Sequence, residues 1–570
     1  MNGPAATSTT KSRSSWRDLL PKPQTPLVAE ERPAAAAARM GAATFASRGI
    51  GLVRVWMITA VLGTTYLGNS YQATSSVSNV LFELLAAGAL SAVLVPTFVE
   101  LLDAGRQREA ERLAAGLLGL AAVALGLISV VALFATPWLA HLLTTGAPAG
   151  SVARRQEALS AFFLYFFIPQ VVLYAFGTVA TGVLYAQRRF VITALAPIAN
   201  TVVLVVAFGV FHLVHPGTGL DLSLNEKLLL AVTGTLGVVG FCGVPVVALL
   251  RSGFRLRAVV HRPDEPLRRL LSLSTWAVLQ HMGIGILLAA SIVMGNHVEG
   301  GVVAYQFAFV AFMAPYAILA QPVHTTILPL LAQDAAVRRF SEFAARVRWA
   351  FESLALLTLP VSAMMIALAE PAMRVIGGVR STSGIDLLTA ALATLALGLF
   401  PYSVFLLFAR AFYALGDSRT PAIVALVTAA VGAAATVYGA LAFRGTGVVA
   451  ALGLGNTLAY VLGALVLGWL LERRLGESIV SRASWRPVIL SVLLGLIGWL
   501  TVRSIGTRPV LVSLLESVVL GGLLGGLYLL GIRLTTRAPS APGTVPPTVP
   551  DDVADAILDL DLDPDVAENP

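Results

Sequence analysis

Two arginines stand six positions apart in an apolar run near the start of this chain: Arg48 and Arg54, flanked by Ser47, Gly49 and Gly51. At about 100° per helical residue, Ser47 and Arg54 fall within about 20° of each other, and Arg48 about 120° from Arg54. Two guanidinium arms so spaced can converge on one cavity and hold an anionic group through forked hydrogen bonds. Alternatively, each snorkels to its own membrane interface, which suits Arg48 better than the more central Arg54. A second polar set follows, Gln72, Ser76, Asn79 and Glu83. Its spacings of four, three and four keep the set inside a sector of about 60°, one stripe on an otherwise apolar helix. Such a stripe faces water or protein, not lipid. Interhelical hydrogen bonding would account for Gln72, Ser76 and Asn79 equally well. Glu83 is harder to explain that way, because a charge at mid-bilayer costs at least about 2.5–3.5 kcal/mol. It either balances an arginine or binds a proton or cation.

The remaining polar residues of the apolar runs carry less. Arg410 lies about a turn from the end of its run, so snorkelling explains it as well as a site would. His281, beside Gln280, and His324 are each lone helical histidines, more often hydrogen-bonded packing residues than proton relays. Glu516 lies within an apolar run, while Glu352 and Asp386 lie close to helix ends. No P-loop, nucleophile elbow, His-Glu-x-x-His motif or metal-spaced Cys/His cluster occurs, so neither enzyme chemistry nor a metal or cofactor is expected. The single cysteine, Cys242, cannot make an intrachain disulfide.

Helices in lipid must position these residues. Of 570 residues, 57% are hydrophobic and 12% charged, against roughly 25% charged in a soluble domain. Apolar runs long enough to cross a bilayer recur at 41–66, 71–101, 113–142, 157–186, 190–213, 228–250, 270–294, 301–332, 347–369, 385–414, 421–443, 447–471, 487–502 and 510–532. An all-α membrane protein of about fourteen spans is expected. The net charge of +8 rests on arginine and reports loop topology rather than nucleic-acid binding. Alternate loops carry 22 basic residues (Arg106, Arg188, Arg251, Arg338 and Arg473 among them) against 8 (such as Arg154, Lys227 and Arg444). The richer set is expected in the cytoplasm, with both termini.

The chain also repeats itself. Gly182–Phe190 resembles Ala411–Arg419, and Val95-Pro96 matches Leu328-Pro329, each at an offset near 230 residues. Two six-helix lobes plus two extra helices follow, an arrangement typical of transporters. The expected divisions are a tail at 1–40, a first lobe at 41–250, a second at 251–472, two extra helices at 473–535 and an acidic tail at 536–570. The first tail is Ser, Thr, Pro and Ala-rich without a signal-peptide core. The last is Pro-rich and then acidic, and neither can bury a core. A solubilising role suits the acidic tail better than the short helix possible around Ala556–Leu560.

Phe45–Arg54 and Asn79–Pro96 resemble the first two helices of the MurJ/MviN family of lipid II flippases, within the multidrug/oligosaccharidyl-lipid/polysaccharide exporter superfamily. Ala196–Asn200, Thr326–Leu331 and Gly416–Pro421 match in family order, so the resemblance covers roughly 41–535. It implies two six-helix lobes around a cationic cavity, two further helices forming a lipid-accessible groove, and arginines matching Arg48 and Arg54 on a lipid diphosphate. The chain departs from the family at Asn69, where relatives usually carry Asp, at Glu83, where an Arg is frequent, and at Phe309 and Val310, in place of an Asp-Arg pair. A less cationic cavity follows. The expected function is movement of lipid II, or a similar undecaprenyl-linked precursor, across the bacterial inner membrane by alternating access. A cation antiporter with Glu83 as coupling acid is the first rival. A scaffold that recruits cell-wall synthesis proteins through its tails is the second.

Overall fold

The computed structural model describes residues 49–535 apart from 83–87, 216, 261–264, 378–380, 481–484 and 506–508. The tails, Ser47, Arg48 and Glu83 lie outside the described residues. Every regular element among those described is helical, as expected where lipid leaves no water to satisfy a bare backbone. The first half comprises α1 (Gly49–Leu62), α2 (Tyr66–Phe82), α3 (Gly88–Asp103), α4 (Gln107–Phe134), α5 (Thr136–Leu143), α6 (Ser151–Phe167), α7 (Gln170–Ala186), α8 (Phe190–Val214) and α9 (Leu224–Arg251). The second half runs α10 (Glu265–Gly295), α11 (Gly301–Pro315), α12 (Gln321–Ala336), α13 (Phe340–Ala367), α14 (Ala369–Ile376), α15 (Thr382–Ala396), α16 (Leu399–Ala414), α17 (Arg419–Ala442) and α18 (Thr446–Leu475). Two more, α19 (Trp485–Ile505) and α20 (Val510–Thr535), pack on α13 and α14.

Among the described residues 11 helices are long and apolar enough to cross a membrane, or 12 if the bent α15–α16 pair is one span. Fourteen is not reached on those criteria. The first two expected spans, 41–66 and 71–101, fall partly outside the described residues, and their described parts are α1, α2 and α3. Other spans carry a proline or a backbone irregularity, yet Ser151–Ala186 and Gly301–Ala336 each pass as one span of 36 residues. Pro137 opens α5 and so detaches the end of the expected 113–142 span from α4. Pro169 stands between α6 and α7, a π-helical turn at Tyr316–Ala320 lies between α11 and α12, and α15 meets α16 at 40°.

The repeat is explicit in the helix order. α4 and α13 are each 28 residues, and each leads into an 8-residue helix, α5 and α14. Both pairs lie 233 positions apart (340 − 107 and 369 − 136). The turns α3–α4, α7–α8, α12–α13 and α16–α17 share one geometry. A left-handed residue (Gly105, Arg188, Arg338 or Gly416) is followed by an N–H donating five residues back: Arg106 to Leu101, Arg189 to Leu184, Arg339 to Asp334 and Asp417 to Phe412. This is the Schellman closure of a helix C-terminus, used four times at one end of the molecule. Its positive φ suits glycine, and at Gly105 and Gly416 a side chain would find open space but a strained backbone.

Candidate functional site

The halves meet along α2–α11, α2–α10 and α3–α10. Between them lies a cavity of about 80 Å³, lined by α1 (Arg54, Val55, Ile58), α2 (Tyr71, Gln72, Ser75, Ser76, Asn79), α6–α9 (Phe167, Gln170, Tyr174, Asn200, Leu204, Gly234, Val238) and α11 (Gln306, Val310). The stripe Gln72, Ser76, Asn79 therefore does face the opposite half. Gln306 Nε2 donates to Ser76 Oγ across the divide at 2.8 Å, and Ser76 Oγ donates back to the Gln72 carbonyl at 2.7 Å.

Arg54 is half-buried, and its Nε is buried without an acceptor; Gln72 Nε2 and Asn200 Oδ1 are likewise unpartnered. These two donors and one acceptor of one cavity find no protein partner, so they are open to water or to a polar guest. Arg54 is the only formal charge among the described lining residues. The walls hold these groups in place by packing. Tyr71 meets Phe163, Phe167 and Phe208 edge-on with centroids 5.3–5.8 Å apart, and Gln170 Nε2 donates to Thr235 Oγ1 at 2.8 Å. Gly237 leaves room for Asn200, whose Oδ1 would lie 2.3 Å from any Cβ there.

One end of the interface, the α1–α2 and α10–α11 turns, is sealed by a buried amide cluster. Asn69 Nδ2 donates to Asn296 Oδ1 (3.1 Å) and to the Val298 carbonyl (3.0 Å), while its Oδ1 accepts from Val302 N at 3.1 Å. Gln156 Nε2 adds a bond to Asn296 Oδ1 at 2.7 Å. An Asp at position 69 could make only the accepting half of this set. A cavity of about 80 Å³ is well below the roughly 300–1,000 Å³ of sites that enclose an organic ligand, so enclosing a bulky headgroup requires the halves to part.

Other residues read from the sequence fall elsewhere. Arg410 is half-buried on α16, its Nη1 without an acceptor, away from the cavity. His281 lies on α10 and does not line the cavity. His324 is fully buried and spanned by Tyr316 Oη at Nδ1 (3.3 Å) and the Ser403 carbonyl at Nε2 (3.0 Å), a satisfied packing histidine. Val310 lines the cavity, whereas Phe309 stacks on Tyr305 at 6.0 Å. Sequence reasoning missed Tyr71, Gln170, Tyr174 and Gln306 and used Asn200 only as a family match. For two of them a signal existed: Gln170 follows Pro169 and Asn200 follows Pro197 by three residues, polar groups beside helix breaks.

The family model described as "Lipid II flippase MurJ" matches residues 58–520. A probable lipid II flippase MurJ of Rhizobium meliloti (strain 1021) is 24% identical over 453 residues, 79% of this chain and 81% of the relative. The lipid II flippase MurJ of Burkholderia cenocepacia is 24% identical over 67% of this chain and 73% of its own length. Among solved structures, the lipid II flippase MurJ in an inward closed conformation superposes with a TM-score of 0.66 at 15% identity, over 87% of this chain and 99% of that one. An inward-facing multidrug transporter of the MATE family follows at 0.60 and 15%, over 75% and 95%. At such identities these two likenesses establish the fold alone.

Proposed function

The chain belongs to the lipid II flippase MurJ family, and from that premise we propose that it moves lipid II across the bacterial cytoplasmic membrane. The cavity between the halves would receive the anionic headgroup. The observation that carries this is Arg54: a cation between the two halves, with a buried Nε that no protein atom satisfies. A diphosphate oxygen would supply the missing acceptor, and Gln72 Nε2 a neighbouring donor to it. Arg48, Ser47 and Glu83 lie outside the described residues and are proposed for headgroup binding or coupling from the sequence alone. The halves divide near residue 250 under this proposal, with α19 and α20 as an added pair. With both termini cytoplasmic, the Asn69–Asn296–Gln156 cluster closes the outer face. Alternating access then consists of breaking that cluster while the cytoplasmic ends draw together.

The test is lipid II binding to wild type, Arg54→Ala and Arg54→Lys by native mass spectrometry, alongside complementation of a flippase-depleted bacterium. Arg54→Ala should weaken binding about tenfold or more, the loss of one charge-assisted contact at about 1.5–3 kcal/mol. Arg54→Lys should rescue only partly, because an ammonium cannot make the forked contact. Equal affinities across the three proteins would remove Arg54 from the headgroup site. Tighter binding of a cationic drug by Arg54→Ala would favour the antiporter.

A further inference from the structure

At the end of the molecule that carries the four Schellman turns, a second and larger cleft opens among α12, α13, α16 and α18. Its volume is about 500 Å³, within the range of sites that hold a ligand or peptide side chains. Ala332, Ala335, Ala336, Phe340 and Leu415 form apolar walls, and Arg338 and Arg474 stand at its edge. Arg474 spends one contact on Asp417, Nη1 to Oδ2 at 2.9 Å. Arg338 is exposed and has no ion pair among the described residues. It occupies the left-handed position of its turn, φ 57°, where Gly105 serves in the corresponding turn of the first half. Phe340 is 44% exposed beside it, so the cleft is both cationic and apolar.

We propose that the chain's own acidic C-terminal segment, residues 551–568, docks in this cleft. Three observations converge on that occupant. The segment carries eight carboxylates, from Asp551 to Glu568, and no Lys or Arg. Within it Leu558, Leu560 and Leu562 alternate with Asp559, Asp561 and Asp563, so apolar and acidic groups arrive together, matching walls and rim. The third is tethering. α18 ends at the cleft and leads into α19, and α20 runs back beside α19 with Gly531 against Leu490 near the start of α19, so Thr535 returns to the end from which α19 sets out. The 15 residues 536–550, five of them Pro, span up to about 45 Å at about 3.1 Å per residue. A tether of that length sets an effective concentration near millimolar, so weak contacts suffice. Bridging the ends of α12, α16 and α18 would brace the second half against movement, which makes the tail a regulator of transport. The proposal is independent of the substrate.

The experiment uses the full-length chain in nanodiscs of zwitterionic lipid, with cysteines introduced as Ala336→Cys and Ala556→Cys; a second pair is Ala332→Cys with Ile557→Cys. The native Cys242 is buried. Copper-phenanthroline oxidation should cross-link most molecules of at least one pair. Neutralising the eight carboxylates to Asn and Gln should lower the yield at least fivefold. Arg338→Gly, which removes the charge while suiting the backbone, should do the same. A yield insensitive to both changes, or no cross-link in either pair of a monodisperse protein, overturns the proposal. Loss of the cross-link when anionic lipid replaces zwitterionic lipid at equal ionic strength also overturns it, because the cleft would then be a headgroup site.

Discussion

At the residue scale, the molecule is marked by polar groups whose partners sit in the opposite half. Asn69 shows what the amide accomplishes that a carboxylate cannot: it donates to Asn296 and Val298 and accepts from Val302 at once. Asn69→Asp keeps the size but replaces two donors with acceptors facing acceptors. The sealed end should weaken by about 1–3 kcal/mol. Labelling of a Thr64→Cys reporter with a membrane-impermeant maleimide should accordingly rise several-fold. Unchanged labelling would mean that packing alone holds that end shut. Gln306→Leu, by contrast, removes the hydrogen bond to Ser76 and should enlarge the apolar share of the cavity, lowering lipid II affinity without altering Thr64→Cys labelling.

At the element scale, the recurring turn is the testable unit. Gly105 sits at φ 70° with nothing within 4 Å of the place a Cβ would take, so Gly105→Ala isolates the cost of the left-handed backbone. It should destabilise the protein by about 1 kcal/mol, read as a lower melting temperature in detergent. Gly209→Ala, in the interior of α8 with equally open space, should instead leave stability unchanged or raise it. Equal effects of the two substitutions would remove the special role of the turn. The same comparison explains why Arg338→Gly is a mild way of removing a charge.

At the scale of the whole molecule, α4–α5 recur 233 positions on as α13–α14, and we propose two halves of like sense, each entered and left at the same end. Reporter fusions at Asn2 and after Pro570 should therefore both read cytoplasmic, on the excess of arginine in one set of loops. A periplasmic signal from either would overturn the even number of crossings. The small cavity bears on mechanism at this scale too. Tethering the halves with a disulfide, as Asn69→Cys with Asn296→Cys, should abolish transport reversibly, with activity restored by reductant.

Much of this was legible in the sequence, for a physical reason. Lipid forces backbone groups to pair within the segment, so length and apolarity alone specify an all-helical membrane protein. The spacing of Gln72, Ser76 and Asn79 set them on one face, because helical periodicity is a local property, and the repeat was visible as similar segments at a fixed offset. Tertiary structure alone decided which half that face meets, that Gln306 answers Ser76, and that Asn200 and Gln170 join Arg54 although more than a hundred residues away. It also placed Arg410, His281 and His324 outside the cavity. A polar residue in an apolar run is costly wherever it lies, and the sequence records that cost without recording the partner that relieves it. Partners are chosen by helix packing across the bundle, where contacts between distant segments, not spacing along one of them, determine what a side chain touches.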